Sequence, residues 1–233
     1  MRETESKIKE ILIRTDNVKS FRLGIEGEIE FKAGQFLQVT LDNKPNLKRY
    51  LSISNSPTEK GYLEFTKKIT ESEFSQRLNT LKPYDSIRVQ YPFGKFTLDE
   101  SFQKIAFLAG GIGITPVRSI AKFIVDENTG TDVVILYANR RVEDIVFRDD
   151  FEKMQKEYAK LRIIHILSEA TPGKGFLTGR INKEIIQENI PDYKERKFYL
   201  CGPPAMVEAM KNILLTALGL SKEYIVTENF QGY

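Results

Sequence analysis

Residues 105–116 read Ile105-Ala106-Phe107-Leu108-Ala109-Gly110-Gly111-Ile112-Gly113-Ile114-Thr115-Pro116. Five consecutive apolar residues suit a strand buried on both faces, and the run is too short for a buried helix. Three glycines in the next four positions permit a tight turn and let an anionic group approach the backbone. Thr115 is then expected as a helix N-cap with Pro116 at the first helical position. Strand, glycine turn, helix is the opening unit of an α/β nucleotide-binding sheet.

Outward from this stretch, the chain after about residue 103 alternates apolar strands with amphipathic helices. The helix Thr115–Val125 is followed by a strand at Val133–Tyr137 and a helix at about Phe147–Tyr158. Then come strand Leu161–Leu167, helix Asn182–Glu188, strand Lys197–Leu200, helix Pro204–Leu218 and a short strand at Ile225-Val226. This alternation predicts a doubly wound parallel sheet. A second strand–turn–helix junction, Cys201-Gly202-Pro203-Pro204-Ala205-Met206, is expected beside the first at the carboxyl edge, where such sheets bind ligands. A lone cysteine is usually a small buried hydrophobe, but Cys201 ends a strand facing the proposed site and is a candidate site residue.

Residues 1 to about 99 have a different texture. Short strands are expected at Ile8–Ile13, Val18–Ile25, Phe36–Leu41, Tyr50–Ile53, Tyr62–Ile69 and Ser86–Gln90, separated by turn signals such as Thr15-Asp16-Asn17 and Ser56-Pro57. Six short strands at this spacing predict a small antiparallel barrel. The chain therefore divides into a β-barrel domain, 1–100, and an α/β domain, 101–233. One helix interrupts the barrel, from Ser72 to about Leu81, with Ser72 as N-cap and Glu73 favoured by the helix dipole. Its amides, with the Ser75 hydroxyl, form a candidate anion site. In Arg49-Tyr50-Leu51-Ser52-Ile53-Ser54, Arg49 can fork onto a phosphate and the serines can hydrogen-bond a flat polar ligand.

Composition narrows the chemistry. The 233 residues are 41% hydrophobic and 29% charged with net charge +3, an ordinary globular balance. No apolar run reaches the roughly 20 residues that span a bilayer, and the charged N-terminus lacks a signal-peptide core, so a cytoplasmic location is expected. Lys and Arg fall in pairs rather than blocks, which gives nucleic-acid binding little support. Cys201 is the only cysteine and His165 the only histidine. No disulfide, cysteine-held iron–sulfur cluster or multi-histidine metal site can form within the chain. Redox chemistry here must come from an organic cofactor.

Taken in order, Arg49-Tyr50-Leu51-Ser52, Ser72-Glu73-Phe74-Ser75, Gly110 to Pro116, Cys201 to Met206 and Glu228-Asn229-Phe230 resemble the motifs of the ferredoxin–NADP reductase superfamily. The resemblance covers essentially the whole chain. It implies an FAD-binding barrel and a domain for NAD(P)H. It implies hydride transfer to flavin, then single-electron delivery to a separate protein such as ferredoxin, flavodoxin or an oxygenase component. By that resemblance, Arg49, Ser72, Glu73, Phe74 and Ser75 would hold the FAD pyrophosphate, and Ser52 would lie near flavin N5. Phe65, Thr66 and Lys67 would line the isoalloxazine and ribityl chain, and Phe230 would cover the flavin. Gly110, Gly111, Gly113, Thr115, Pro116, Gly202, Pro203 and Met206 would hold the nicotinamide nucleotide. Thr115 would sit near the nicotinamide and also contact FAD. Cys201 and Glu228 would flank the hydride path.

Two departures stand out. The family's Arg-x-Tyr-Ser has Leu51 in its aromatic position, and Tyr50 is one residue earlier, which in a strand puts the ring on the opposite face. By the resemblance, Leu51 would then contact the flavin without stacking and Tyr50 would reach another part of the FAD. Ser72 replaces the usual first glycine of the pyrophosphate motif. Glu169, after Ser168, would repel a 2′-phosphate, whereas Arg140-Arg141 would attract one; the balance favours NADH. Two other readings remain open: a free-flavin reductase that releases its flavin, and a non-catalytic flavin- or nucleotide-binding regulatory module. Oligomeric state is not legible.

Overall fold

The computed structural model describes residues 1–169 and 175–229. Six strands make the first unit: β1 Arg2–Thr15, β2 Val18–Gly24, β3 Phe36–Thr40, β4 Lys48–Ser52, β5 Leu63–Lys68 and β6 Ser86–Phe93, with helix α1 Glu73–Asn79 between β5 and β6. They pair antiparallel in the order β4-β3-β6-β1-β2-β5. The ends meet through an Ile53–Phe65 bridge and a bond from Ser54 N–H to Glu64 carbonyl at 2.7 Å, which closes the sheet into the expected barrel. Alternation explains the closure. Leu37, Val39, Leu51, Phe21 and Phe65 all point inward and form one apolar core.

The second unit comprises β7 Lys104–Gly110, α2 Ile114–Glu127, β8 Asp132–Asn139, α3 Arg148–Glu157, β9 Leu161–Leu167, β10 Leu177–Thr178, α4 Lys183–Asn189, β11 Lys197–Gly202, α5 Pro204–Asn212 and β12 Ile225–Asn229. Its sheet is parallel, ordered β10-β9-β8-β7-β11-β12. The order reverses between β7 and β11, so the two glycine-bearing strand ends are neighbours at the switch point. One sheet face packs on α2 and α3, the other on α4 and α5. Among the described residues, no helix is long and apolar enough to cross a membrane.

Two expectations need correction. The helix after the glycine turn starts at Ile114, not after Thr115: residues 111–113 already wind as a single 3-10 turn, and Gly113 is the N-cap. Thr115 and Pro116 are the second and third helical residues, and the Thr115 hydroxyl donates back to the Ile112 carbonyl at 3.1 Å. The long helix expected over Pro204–Leu218 is regular only to Asn212 and then continues as a wider helical turn, Ile213–Ala217.

The units share a packed seam. Ala33 and Phe96 from the barrel side are buried in the α/β core, with Phe96 edge-on to Tyr199 at 5.4 Å between centroids.

Candidate active site

On the barrel side, β4 delivers Arg49, Tyr50, Leu51 and Ser52 in alternation. Tyr50 is 55% exposed, its ring edge-on to Phe36 and Phe93, while Leu51 is buried in the barrel core. The one-residue shift of the aromatic thus does reverse its face. Ser52 is buried at the strand end.

Arg49 donates to the Lys48 carbonyl at 2.7 Å, and its guanidinium lies over the Phe74 ring in α1 at 5.4 Å. Ser72 caps α1 by accepting from the Ser75 amide at 3.3 Å, and Thr70 bonds both serine hydroxyls at 3.1 Å. Glu73 accepts from Asn46 at 3.1 Å. Lys67 is buried, its amine donating to the Lys68 carbonyl. Burial first, then Arg49, holds its pKa down at about 8. Two cations therefore converge beside the start of α1, a donor set suited to a pyrophosphate.

Phe65 stacks on Phe21 inside the barrel at 5.2 Å, and Thr66 bonds Ser20 and Ser54 at 2.6 and 2.9 Å. These side chains stiffen the wall next to Ser52.

On the α/β side, a cleft of about 820 Å³ opens at the carboxyl ends of β7, β8 and β9. Gly110, Gly111, Pro203 and Met206 line it with Arg140 and Glu169. Gly111 has φ +51° and open space where a Cβ would stand, so its backbone can face a ligand closely. Gly113 instead serves packing. A Cβ there would lie 2.5 Å from the Cys201 carbonyl oxygen, so its lack of side chain lets the two turns come together. Gly202 completes that contact.

Cys201 and Glu228 are register partners on β11 and β12. Cys201 is wholly buried, and burial followed by the Glu228 charge pushes its thiol pKa well up. Burial also raises the Glu228 carboxyl to about 7, so it exchanges a proton near neutrality. Phe230 lies outside the described residues.

Sequence reasoning missed several members of the cleft. Asn17, Val18 and Lys68 come from the barrel, and Arg180 and Ile181 follow β10. Tyr137 lies wholly buried beneath it; its hydroxyl donates to the Gly111 carbonyl at 3.0 Å and accepts from the Val146 amide at 3.3 Å. One phenol thereby joins two walls. Glu169 accepts from Arg140 Nε at 2.7 Å and Arg141 Nε at 2.9 Å, so one carboxylate is shared by both arginines and offsets part of their positive charge.

Comparison with known proteins agrees with this geometry. Residues 6–98 match the oxidoreductase FAD-binding domain model and 107–212 the oxidoreductase NAD-binding domain model. NADH-cytochrome b5 reductase 1 of Aspergillus terreus is 35% identical over 80% of this chain and 66% of its own length. The Lodderomyces elongisporus protein of that name is 30% identical over 88% and 71%. The glycine betaine monooxygenase reductase subunit of Pseudomonas aeruginosa is 34% identical over 79% of this chain; the chain spans only 52% of that relative. Among solved structures, a cytochrome P450 reductase from Amycolatopsis superposes with TM-score 0.87 at 22% identity, covering 99% of this chain and 70% of the other. A ferredoxin NADP+ reductase from Neisseria gonorrhoeae, with FAD and NADP bound, gives 0.84 at 20% identity over 99% and 100%.

FAD and a nicotinamide nucleotide are the cofactors of such proteins, and the donor sets fit both. Arg49 and Lys67 suit one pyrophosphate, and the Gly111 turn with its cleft suits the other dinucleotide. The chain belongs to the ferredoxin–NADP reductase superfamily, with an oxidoreductase FAD-binding domain followed by an oxidoreductase NAD-binding domain.

Proposed function

We propose that this reductase takes its electrons from NADH and passes them one at a time to a separate acceptor protein, a ferredoxin, a flavodoxin or an oxygenase component. One observation carries the reading: the cleft at the glycine turn is walled by both units, with Asn17, Val18 and Lys68 of the barrel facing Gly111 and Arg140. A dinucleotide held there lies against the unit that holds the flavin. Supporting the acceptor class, relatives carry names that join them to cytochrome b5 and to a monooxygenase.

In this reading residues 1–100 bind FAD and 101–233 bind the nucleotide. Flavin, when bound, accepts a hydride and releases electrons singly. The chain's residues hold and shield the reacting groups. Arg49, Lys67 and Ser75 take the FAD pyrophosphate, and Ser52 hydrogen-bonds at the reacting edge. Thr115, Pro203 and Met206 shape the nicotinamide pocket. Cys201 excludes water, and Glu228 holds or gives up one proton near neutral pH. NADH is preferred because Glu169 occupies both arginines that a 2′-phosphate needs.

A second reading, the free-flavin reductase, is favoured by Leu51: it lies in the core and offers no ring for the isoalloxazine. Absorbance of the purified protein followed by anaerobic titration with NADH and NADPH separates the two. Retained flavin bleached preferentially by NADH supports the proposal. A colourless protein active only with added flavin supports the second reading, and retained flavin that neither nucleotide bleaches overturns both.

A further inference from the structure

Helix α2 begins at the glycine turn that faces the nucleotide cleft, and one turn further on it is bolted to the barrel. Arg118 is 7% exposed at its side chain yet makes four contacts. Nη1 donates to the Ser54 carbonyl at 3.2 Å and to Glu59 Oε2; Nη2 donates to Glu59 Oε1 at 3.0 Å; Nε donates to Asp150 at 3.2 Å. The next residue, Ser119, donates to the Asn55 carbonyl at 2.7 Å and accepts from the Gly34 amide at 3.4 Å. Phe147 lies under the Arg118 guanidinium at 5.7 Å and under that of Arg14, a barrel residue, at 4.8 Å.

The position of these bonds matters more than their number. Ser54 and Asn55 directly continue β4, two and three residues after Ser52. Arg118 and Ser119 stand three and four residues after Thr115, on the same helix. The seam bonds thus join the strand end carrying one half of the site to the helix start carrying the other, through about one helical turn on one side and one strand repeat on the other. A buried guanidinium with its forked partner is rigid in a way a surface ion pair is not, because no water can substitute for a lost acceptor. Hydride transfer falls steeply when the reacting atoms are misplaced by an ångström.

We propose that Arg118 and Ser119 are positioning residues that set the separation between the flavin half-site at Ser52 and the nicotinamide half-site at Thr115. The inference rests on the two-cofactor reading above.

The test uses Ser119→Ala and, separately, Arg118→Met combined with Glu59→Gln, which leaves no unpaired buried carboxylate at Glu59. Anaerobic rapid mixing of the flavin-loaded protein with NADH gives the limiting rate of flavin bleaching and the donor's dissociation constant. The limiting rate is expected to fall by roughly tenfold to a hundredfold while the dissociation constant changes by less than about threefold. A merely structural role would lower the melting temperature without this split. A second readout needs no cofactor. Spin labels at Lys82→Cys on the barrel and Lys153→Cys on α3, both exposed, report the distance between the units; Cys201 is buried and stays unlabelled. The variants should broaden or shift that distance. Wild-type limiting rates, or an unchanged distance distribution, overturn the proposal. A wild type that neither nucleotide reduces overturns the functional reading instead, and the spin-label distances still decide whether the seam contact holds the units.

Discussion

Replacing Glu228 by glutamine should make the protein more stable at alkaline pH and leave it unchanged in acid. Burial raises this carboxyl from the ordinary 4.5 to about 7. Below pH 4.5 the group is neutral in both folded and unfolded chains and contributes nothing. As pH rises from there toward 7, the unfolded chain gives up the proton while the folded one keeps it, so stability falls; above 7 the full penalty is present. Each tenfold in the protonation equilibrium is worth about 1.4 kcal/mol, giving about 3 kcal/mol, and partial contact with water reduces this to about 2 kcal/mol. Glutamine has the same shape and no titration. Urea unfolding of wild type and Glu228→Gln, followed at about pH 4.5 and about pH 8.5, measures the difference directly. The variant should match wild type in acid and exceed it by about 2 kcal/mol in base. An equal difference at both pH values would show that the carboxyl is not held neutral, and the reasoning that places a proton there near pH 7 would fall with it.

Other outcomes follow from the same geometry. Glu169→Gln should free Arg140 and Arg141 and lower the KM for NADPH by roughly tenfold, with NADH little affected; steady-state kinetics with both donors checks it. Arg49→Ala should weaken flavin retention by about 1.5–3 kcal/mol, the usual worth of a charge-assisted contact, read by fluorescence of released flavin after dilution. Tyr137→Phe removes two buried bonds that join the Gly111 turn to the Val146 wall. It should raise the donor's KM several-fold and cost about 1–2 kcal/mol of stability, seen in steady-state kinetics and urea unfolding.

Much of this architecture is legible in one dimension because its causes are local. Period-two alternation places Leu37, Val39 and Leu51 inside a barrel, and the continuous apolar run at Ile105–Ala109 needs a sheet covered on both faces. Glycine turns at strand ends mark the carboxyl edge. Thr115-Pro116 misleads because the pair has the residue preferences of a cap and first turn, while the 3-10 turn at 111–113 has already started the helix. The two-residue strand β10 carries no periodic signal at all. Its strand character comes from pairing with Ile166 and Leu167.

What the sequence by itself determined is therefore the pair of folding units, the order of their longer elements and the residue types available for binding two dinucleotides. Only the tertiary structure decided which of those residues meet. Cys201 faces Glu228 through parallel pairing of β11 with β12, and Glu169 meets Arg140 and Arg141 because β9 and β8 end side by side. Arg118 reaches Ser54 only because the barrel docks on α2. Pattern and propensity act over a few residues. The pKa of Glu228, the carboxylate shared by Arg140 and Arg141 and the seam between half-sites depend on burial and on charges brought together from distant parts of the chain.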